Sequence, residues 1–200
     1  MIELPLEIKQ GEHDTTLMRF SPNGPWRKTF VRGAITFPRY EETSSRFCGS
    51  VSVCAIHRNG HASLYHIENF EIYDFSLANL FSSLYETYRV SHFYYRADGS
   101  GDEDARKFEI QSGIRRRKNL DSVYPLLVPL RFPTDYHVLE SFLVRSENET
   151  FEADSDSILQ DAISYWDQSR GFDLAPSELR CTAVNLAGLD RDSIYWRTRE

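Results

Sequence analysis

Val51-Ser-Val-Cys-Ala-Ile-His-Arg-Asn-Gly-His-Ala-Ser-Leu-Tyr-His-Ile67 carries the alternation on which the fold turns. Val51, Val53 and Ala55 fall on one side of an extended strand, Arg58-Asn-Gly60 interrupts, and a second alternating run extends from Leu64 to Ile72. Asn-Gly supplies the positive φ angles of a tight turn between twisted strands, so the two runs are expected to pair antiparallel. The period then lengthens. Leu77, Leu80, Phe81, Leu84, Tyr85 and Tyr88 recur at three and four residues behind Asp74 and Ser76, either of which can cap a helix. A short strand follows at His92-Phe-Tyr-Tyr95 and gives way to Arg96-Ala-Asp-Gly-Ser-Gly101. In open α/β sheets, strand ends of this kind are where polar chemistry gathers.

Outward from this stretch, Phe30 to Phe37 reads as a strand ended by Pro38, with a polar loop over 39–45. Residues 1–28 mix Gly, Pro, Asn and charges without a sustained period and read as an N-terminal arm lying over a single domain of residues 29–200. Downstream, Asp102 to Ile110 is a charged helical piece that leads to the basic run Arg115-Arg-Arg-Lys118. Pro125 and Pro129 make Tyr124 to Arg131 an edge strand or extended segment. Thr134 and Asp156 can cap two further helices, the first with Val138, Leu139, Phe142 and Leu143, the second with Ile158, Leu159, Ala162, Ile163 and Trp166. The tail from Gly171 reads as less regular, with Pro176 and Gly188 as breaks.

A chain of 200 residues, 40% hydrophobic and 14% aromatic, is long enough for one domain with a substantial core. It has no apolar run of the ~20 residues that span a bilayer, and its start lacks the pattern of a signal peptide, so a soluble protein of the cytoplasm is expected. Three cysteines without a Cys-x-x-Cys pair indicate neither a disulfide framework nor a zinc site. A net charge of −7 excludes a generally basic nucleic-acid coat and leaves room for a local basic groove. Gly99-Ser-Gly101 lacks the Lys-Ser/Thr ending of a nucleotide-binding loop, so no ATPase motif is present. His57, His61 and His66 flank the hairpin, where turn and surface roles outweigh a metal site.

Three strands, a helix, a strand, then alternating helices and strands is the element order of the ribonuclease H-like fold: α/β, a mixed sheet with an antiparallel hairpin and flanking helices. Within it, Phe30 to Arg170 resembles the nuclease domain of phage terminase large subunits, the motors that package and cut viral DNA. In that family a first strand ends in an aspartate, a later strand ends in an acidic residue before a Gly-containing turn, and a late helix brings a third acid. The three places read Ile35-Thr-Phe-Pro38, Tyr95-Arg-Ala-Asp-Gly-Ser-Gly101 and Asp154-Ser-Asp-Ser-Ile-Leu-Gln-Asp-Ala162. The resemblance implies cleavage of double-stranded DNA by two divalent cations, Mg²⁺ or Mn²⁺. Asp98 and Asp161 would be the catalytic carboxylates, and Asp98, Asp161 and Asp156 the metal ligands.

This sequence departs from the pattern. Thr36 or Phe37 stands where the first aspartate is expected, with Glu41 and Glu42 in the loop beyond, and Arg96 stands at the second place with Asp98 two residues on. For Asp98 a turn role before Gly99 competes with metal binding, for Asp161 a solvated helix position, and for Asp154 and Asp156 helix capping. Arg115, Arg116, Arg117 and Lys118 form the dense basic patch, suited to DNA phosphates or to a solvated loop balancing Asp102, Glu103 and Asp104. Three functions stay open: a metal nuclease, a catalytically inactive module of the same fold that binds DNA or a viral packaging or assembly partner, and an α/β domain without a nucleic-acid role.

Overall fold

In the computed structural model, the described residues are 2–12, 15–41, 46–71, 75–97, 100–116, 126–132, 134–153, 158–166 and 175–197. The hairpin is present as β4 (Arg46–His57) and β5 (Ala62–Phe70), paired antiparallel with Ala55 opposite Ser63. Its turn is built differently from the expectation. Only Gly60 adopts a positive φ (85°), while the Asn59 side chain accepts a hydrogen bond from the His61 amide at 3.0 Å. The loop is therefore longer than a two-residue turn, and one glycine satisfies its left-handed position.

β3 (Arg27–Glu41) pairs antiparallel with β4 along most of its length. Pro38 does not end it, because the register shifts between Thr36 and Arg39. A bulge is where a strand tolerates a residue without an N–H. α1 (Phe75–Tyr88) follows the hairpin and returns the chain to β6 (His92–Arg96), which lies parallel to β3 with Gly33 opposite Phe93. α2 (Ser100–Arg116) then crosses to β7 (Leu126–Leu130), parallel to β6. β7 pairs only with β6 among the described residues, the edge position its prolines require.

The central order β5-β4-β3-β6-β7, with the hairpin antiparallel and β6 and β7 parallel to β3, is the ribonuclease H-like arrangement. β1 (Glu7–Gln10) and β2 (Thr16–Arg19) extend the sheet as a second hairpin against the start of β3. Residues 1–28 thus contain two strands where the sequence suggested an irregular arm. β8 (Phe151–Glu152) adds a short parallel strand beside β5.

Two cores sandwich the sheet. Val31, Ile35, Val51, Val53, Phe93 and Tyr95 pack against Phe81 and Leu84 of α1 and Phe108 of α2. On the other face Phe30, Ala34, Cys54, Ile56 and Tyr94 meet α3 (Asp135–Glu147), α4 (Ile158–Tyr165) and α5 (Ser177–Arg197). α5 corrects the reading of the tail as irregular: it is a 21-residue helix, buried from Ser177 to Leu189. Pro176 sits at its entrance, where its carbonyl accepts from the Arg180 amide at 3.0 Å and a missing N–H costs nothing. Gly188 lies within the helix against the Tyr94 ring. Among the described residues, no helix is long and apolar enough to cross a membrane.

Candidate functional site at the strand ends

The parallel strands β3 and β6 end on the side of the sheet where α5 begins. Alternation along β3 sends Thr36 to the α5 face and Phe37 to the opposite core, where its ring meets Tyr95 edge-on at 5.9 Å. The same alternation turns Ser50 and Ser52 of β4 toward α5. Ser50 Oγ donates to Asn69 Oδ1 at 2.6 Å and lies 2.6 Å from Ser177 Oγ, which is itself 3.1 Å from Thr36 Oγ1. A hydroxyl has one proton, which fixes the direction of the chain. With the Ser50 proton committed to Asn69, Ser177 donates to Ser50 and Thr36 donates toward Ser177, while Thr36 Oγ1 accepts from the Ser50 amide at 3.1 Å. The Asn69 amide continues the series by donating to Glu178 Oε1.

Deeper along α5 the seam stays polar. Cys181 Sγ lies 3.3 Å from the carbonyl oxygens of Ala34 and Ser50 and from Ser52 Oγ. Asn185 donates to the Arg32 carbonyl at 3.2 Å and to Ser52 Oγ at 3.1 Å. Burial pushes the Cys181 thiol up to about 12, against the opposing pull of hydrogen bonds from Ser52 and Thr36, and raises the buried Cys54 as well. Both are therefore protonated, inert thiols at neutral pH.

Next to the network, a narrow cleft of about 20 Å³ is lined by Thr36, Arg39, Arg96, Asp104 and Arg180. The Arg180 side chain is almost wholly buried, at 1% exposure. On the far side of β6, Tyr95 donates to Asp102 at 3.2 Å, and Asp102 also pairs with Arg131 of the β7 end at 3.6 Å. Burial, then the bond to Asp102, raises the Tyr95 phenol to about 12.

Asp98 and Asp156, which the sequence marked as ligands, lie outside the described residues, as do Arg117, Lys118, Asp154 and Glu42. Asp161 is exposed on α4, a helix packed on α5 and β5, and its carbonyl accepts from Ser164 Oγ at 2.7 Å. The helix that enters the strand-end site is α5. Arg115 and Arg116 form the last turn of α2. Sequence reasoning missed Ser50, Asn69, Ser177 and Glu178. Their one signal was an odd cluster of small polar residues in otherwise apolar strands, Ser50 and Ser52 among Val51, Val53 and Ala55.

Two divalent cations need several converging carboxylates. Around the network the described residues offer hydroxyls, an amide and the carboxylates of Glu178 and Asp104, beside guanidinium groups that oppose a cation. No cluster of three or more His, Cys, Asp or Glu suited to a metal occurs among the described residues. The described residues, which do not include Asp98, do not by themselves supply the carboxylates of a two-metal centre.

No family model matches the chain, and no curated protein matches it. Among solved structures it is similar to T. thermophilus RuvC in complex with a Holliday junction substrate, at 14% identity and a TM-score of 0.46, over 82% of this chain and 96% of that one. By its strand order the chain has a ribonuclease H-like fold. Among the described residues its strand-end site combines hydroxyl, amide and guanidinium groups with the carboxylates of Glu178 and Asp104.

Proposed function

We propose that this chain is a non-cleaving, DNA-binding module on a ribonuclease H-like scaffold. The observation that carries this reading is the continuous series Thr36–Ser177–Ser50–Asn69–Glu178, in which groups bonded to one another stand where a nuclease of this fold would converge its carboxylates. Arg39 and Arg96 line the cleft and have the chemistry to meet phosphate oxygens, and the basic run Arg115, Arg116, Arg117 and Lys118, which begins at the far end of α2, is a separate basic segment of the sequence. Viral packaging is the context that the resemblance to terminase nuclease domains suggests, with packaging or assembly proteins as further partners.

The test is an incubation of the purified chain with supercoiled plasmid and Mn²⁺, beside a gel shift of the same DNA across a salt series. Salt-sensitive binding without cutting is expected. The double variant Arg39→Glu/Arg96→Glu should weaken binding at least tenfold and lower the salt slope by about one unit per lost phosphate contact. Cutting that disappears in Asp98→Ala and in Asp161→Ala would replace this reading with the metal nuclease of terminase type. Neither binding nor cutting would remove the nucleic-acid role altogether.

A further inference from the structure

The N-terminal hairpin gathers positive charge on one side. In the register of β1, β2 and β3, Lys9, Leu17 and Lys28 lie opposite one another in one row, and Glu7 lies opposite Arg19 in another. Opposed residues point to the same side of a sheet, and positions two apart along a strand share a face. Lys9, Arg19 and Lys28 therefore stand on one face of the hairpin. Ile8, Met18 and Arg27 form the intervening row on the other face, where Ile8 and Met18 join the core that α1 and α2 cover.

Lys28 alternates with Phe30, which packs into the core beneath α5, but among the described residues no side chain of β1 or β2 belongs to that core. The basic face is covered by its own side chains. Trp26, two residues before Lys28, has Lys9 Nζ 4.0 Å and Arg19 Cζ 5.0 Å from its ring centre. Each cation is attracted to the ring, yet the two repel one another, and a bound anion relieves that repulsion. Arg19 pairs with Glu7, while Lys28 is half-buried and makes no ion pair among the described residues. Lys9 and Lys28 are two strands apart, roughly 10 Å, and Arg19 lies two residues from Leu17 of their row, roughly 7 Å. Three cations beside one paired carboxylate reverse the sign of a chain whose net charge is −7.

Spread charges of this kind suit a polyanion. Surfaces that enter a lipid bilayer add exposed apolar residues to their cations. Here Leu17 is half-buried between the two lysines, the Trp26 ring is occupied by Lys9 and Arg19, and the exposed Leu6, next to Glu7, points to the other face. We infer that this hairpin face is a second DNA contact, in which Lys9, Arg19 and Lys28 meet phosphates of a duplex backbone and Trp26 positions Lys9 and Arg19. The inference rests on the reading of the chain as a DNA-binding module. It adds a contact at the start of β3, far along the strand from Thr36 and Arg39. With the ring covered, no base is read, so this contact is independent of DNA sequence.

The experiment is a gel shift of the full chain on duplex DNA of mixed sequence across a salt series, with thermal midpoints confirming that each variant is folded. Lys9→Gln/Lys28→Gln should weaken binding at least about tenfold at low salt and lower the salt slope by about two units, one for each lost phosphate contact. Trp26→Leu keeps every charge, so it should weaken binding by only a few-fold with the slope retained, and Trp26→Phe should restore most of the loss. An unchanged slope in the lysine variant, with binding still lost in Arg39→Glu/Arg96→Glu, overturns the inference and leaves the DNA-binding reading in place. Loss in the lysine variant alone upholds the inference and removes the strand-end cleft from DNA binding. A chain that binds no DNA overturns both. If it then binds vesicles of phosphatidylcholine and phosphatidylserine through Lys9 and Lys28, the face belongs to a membrane surface instead.

Discussion

At Gly188 the aromatic ring of a distant strand rests directly on a helix backbone. A Cβ there would come within 2.4 Å of Tyr94 Cδ2 and 2.6 Å of Cε2. Tyr94 cannot turn aside easily, because it is fully buried and its hydroxyl donates to Asp192 at 2.5 Å. Gly188→Ala should therefore cost about 1–3 kcal/mol by overpacking, more than the roughly 1 kcal/mol that alanine gains in a helix interior. Urea denaturation reads the difference, and an unchanged midpoint would mean that α5 slides to make room. The same residue shows why sequence reading stopped short here. Glycine inside a helix is locally unfavourable and reads as a break, and only the ring facing it across the fold explains its presence. Thr36 was legible as the residue standing where an acid is expected. Its partners were not, because hydrogen bonds to Ser50 and Ser177 depend on three segments meeting in space.

The elements divide by how clearly their surroundings repeat along the chain. The β4–β5 hairpin is marked by its Asn59-Gly60 turn and α1 by an apolar repeat at three and four residues, so these elements are plain in the sequence. α5 is buried on all sides over its first three turns and carries Ser177, Arg180, Thr182 and Asn185 among its apolar residues, which erases the amphipathic stripe by which a helix is recognised. What holds α5 against its neighbours is partly a single guanidinium. Arg145 of α3, 7% exposed, pairs with Asp190 of α5 and donates to the carbonyls of Gly60 at 2.8 Å and Thr150 at 3.4 Å. It thus joins two helices, the hairpin turn and the approach to β8. Arg145→Met should cost about 3 kcal/mol, since it leaves the Gly60 carbonyl and the Asp190 carboxylate without this donor, while the Thr150 carbonyl keeps the Ala62 amide. Asp190→Asn should cost less, because the half-exposed amide still accepts. Thermal melts of both variants would show it, and equal losses would argue against the carbonyl contacts as the larger share.

For the molecule as a whole, two half-buried histidines on the hairpin set a pH dependence of stability. Burial, then His61 and Arg27, lower His57, with Glu152 opposing, and burial lowers His66 against the pull of Glu68. Unfolded, both titrate near 6.5, so just below that value the unfolded chain holds more protons than the folded one. The stability they contribute is complete above about pH 6.5 and is lost as pH falls through their folded values. Urea midpoints measured from pH 7.5 to 5 should fall, and His57→Gln should flatten part of that fall; a slope unchanged in this variant would assign the effect to His66 or to the carboxylates. At this scale the strand order was legible from the sequence, because it follows from the order of hairpin, helix and strand. The strand-end chemistry was legible only as a missing acid.

The face of the sheet carrying Phe30, Ala34, Cys54 and Ile56 belongs to early strands, whereas much of its cover is α5, which begins at Ser177. A ribosome therefore builds this apolar surface long before the segment that shields it. Domains usually settle as they emerge, but here the chain must be made through α5 before the sheet can be enclosed. The interval during which the nascent protein is open to aggregation is set by the pace of translation and the availability of chaperones, not by how fast the finished chain can fold.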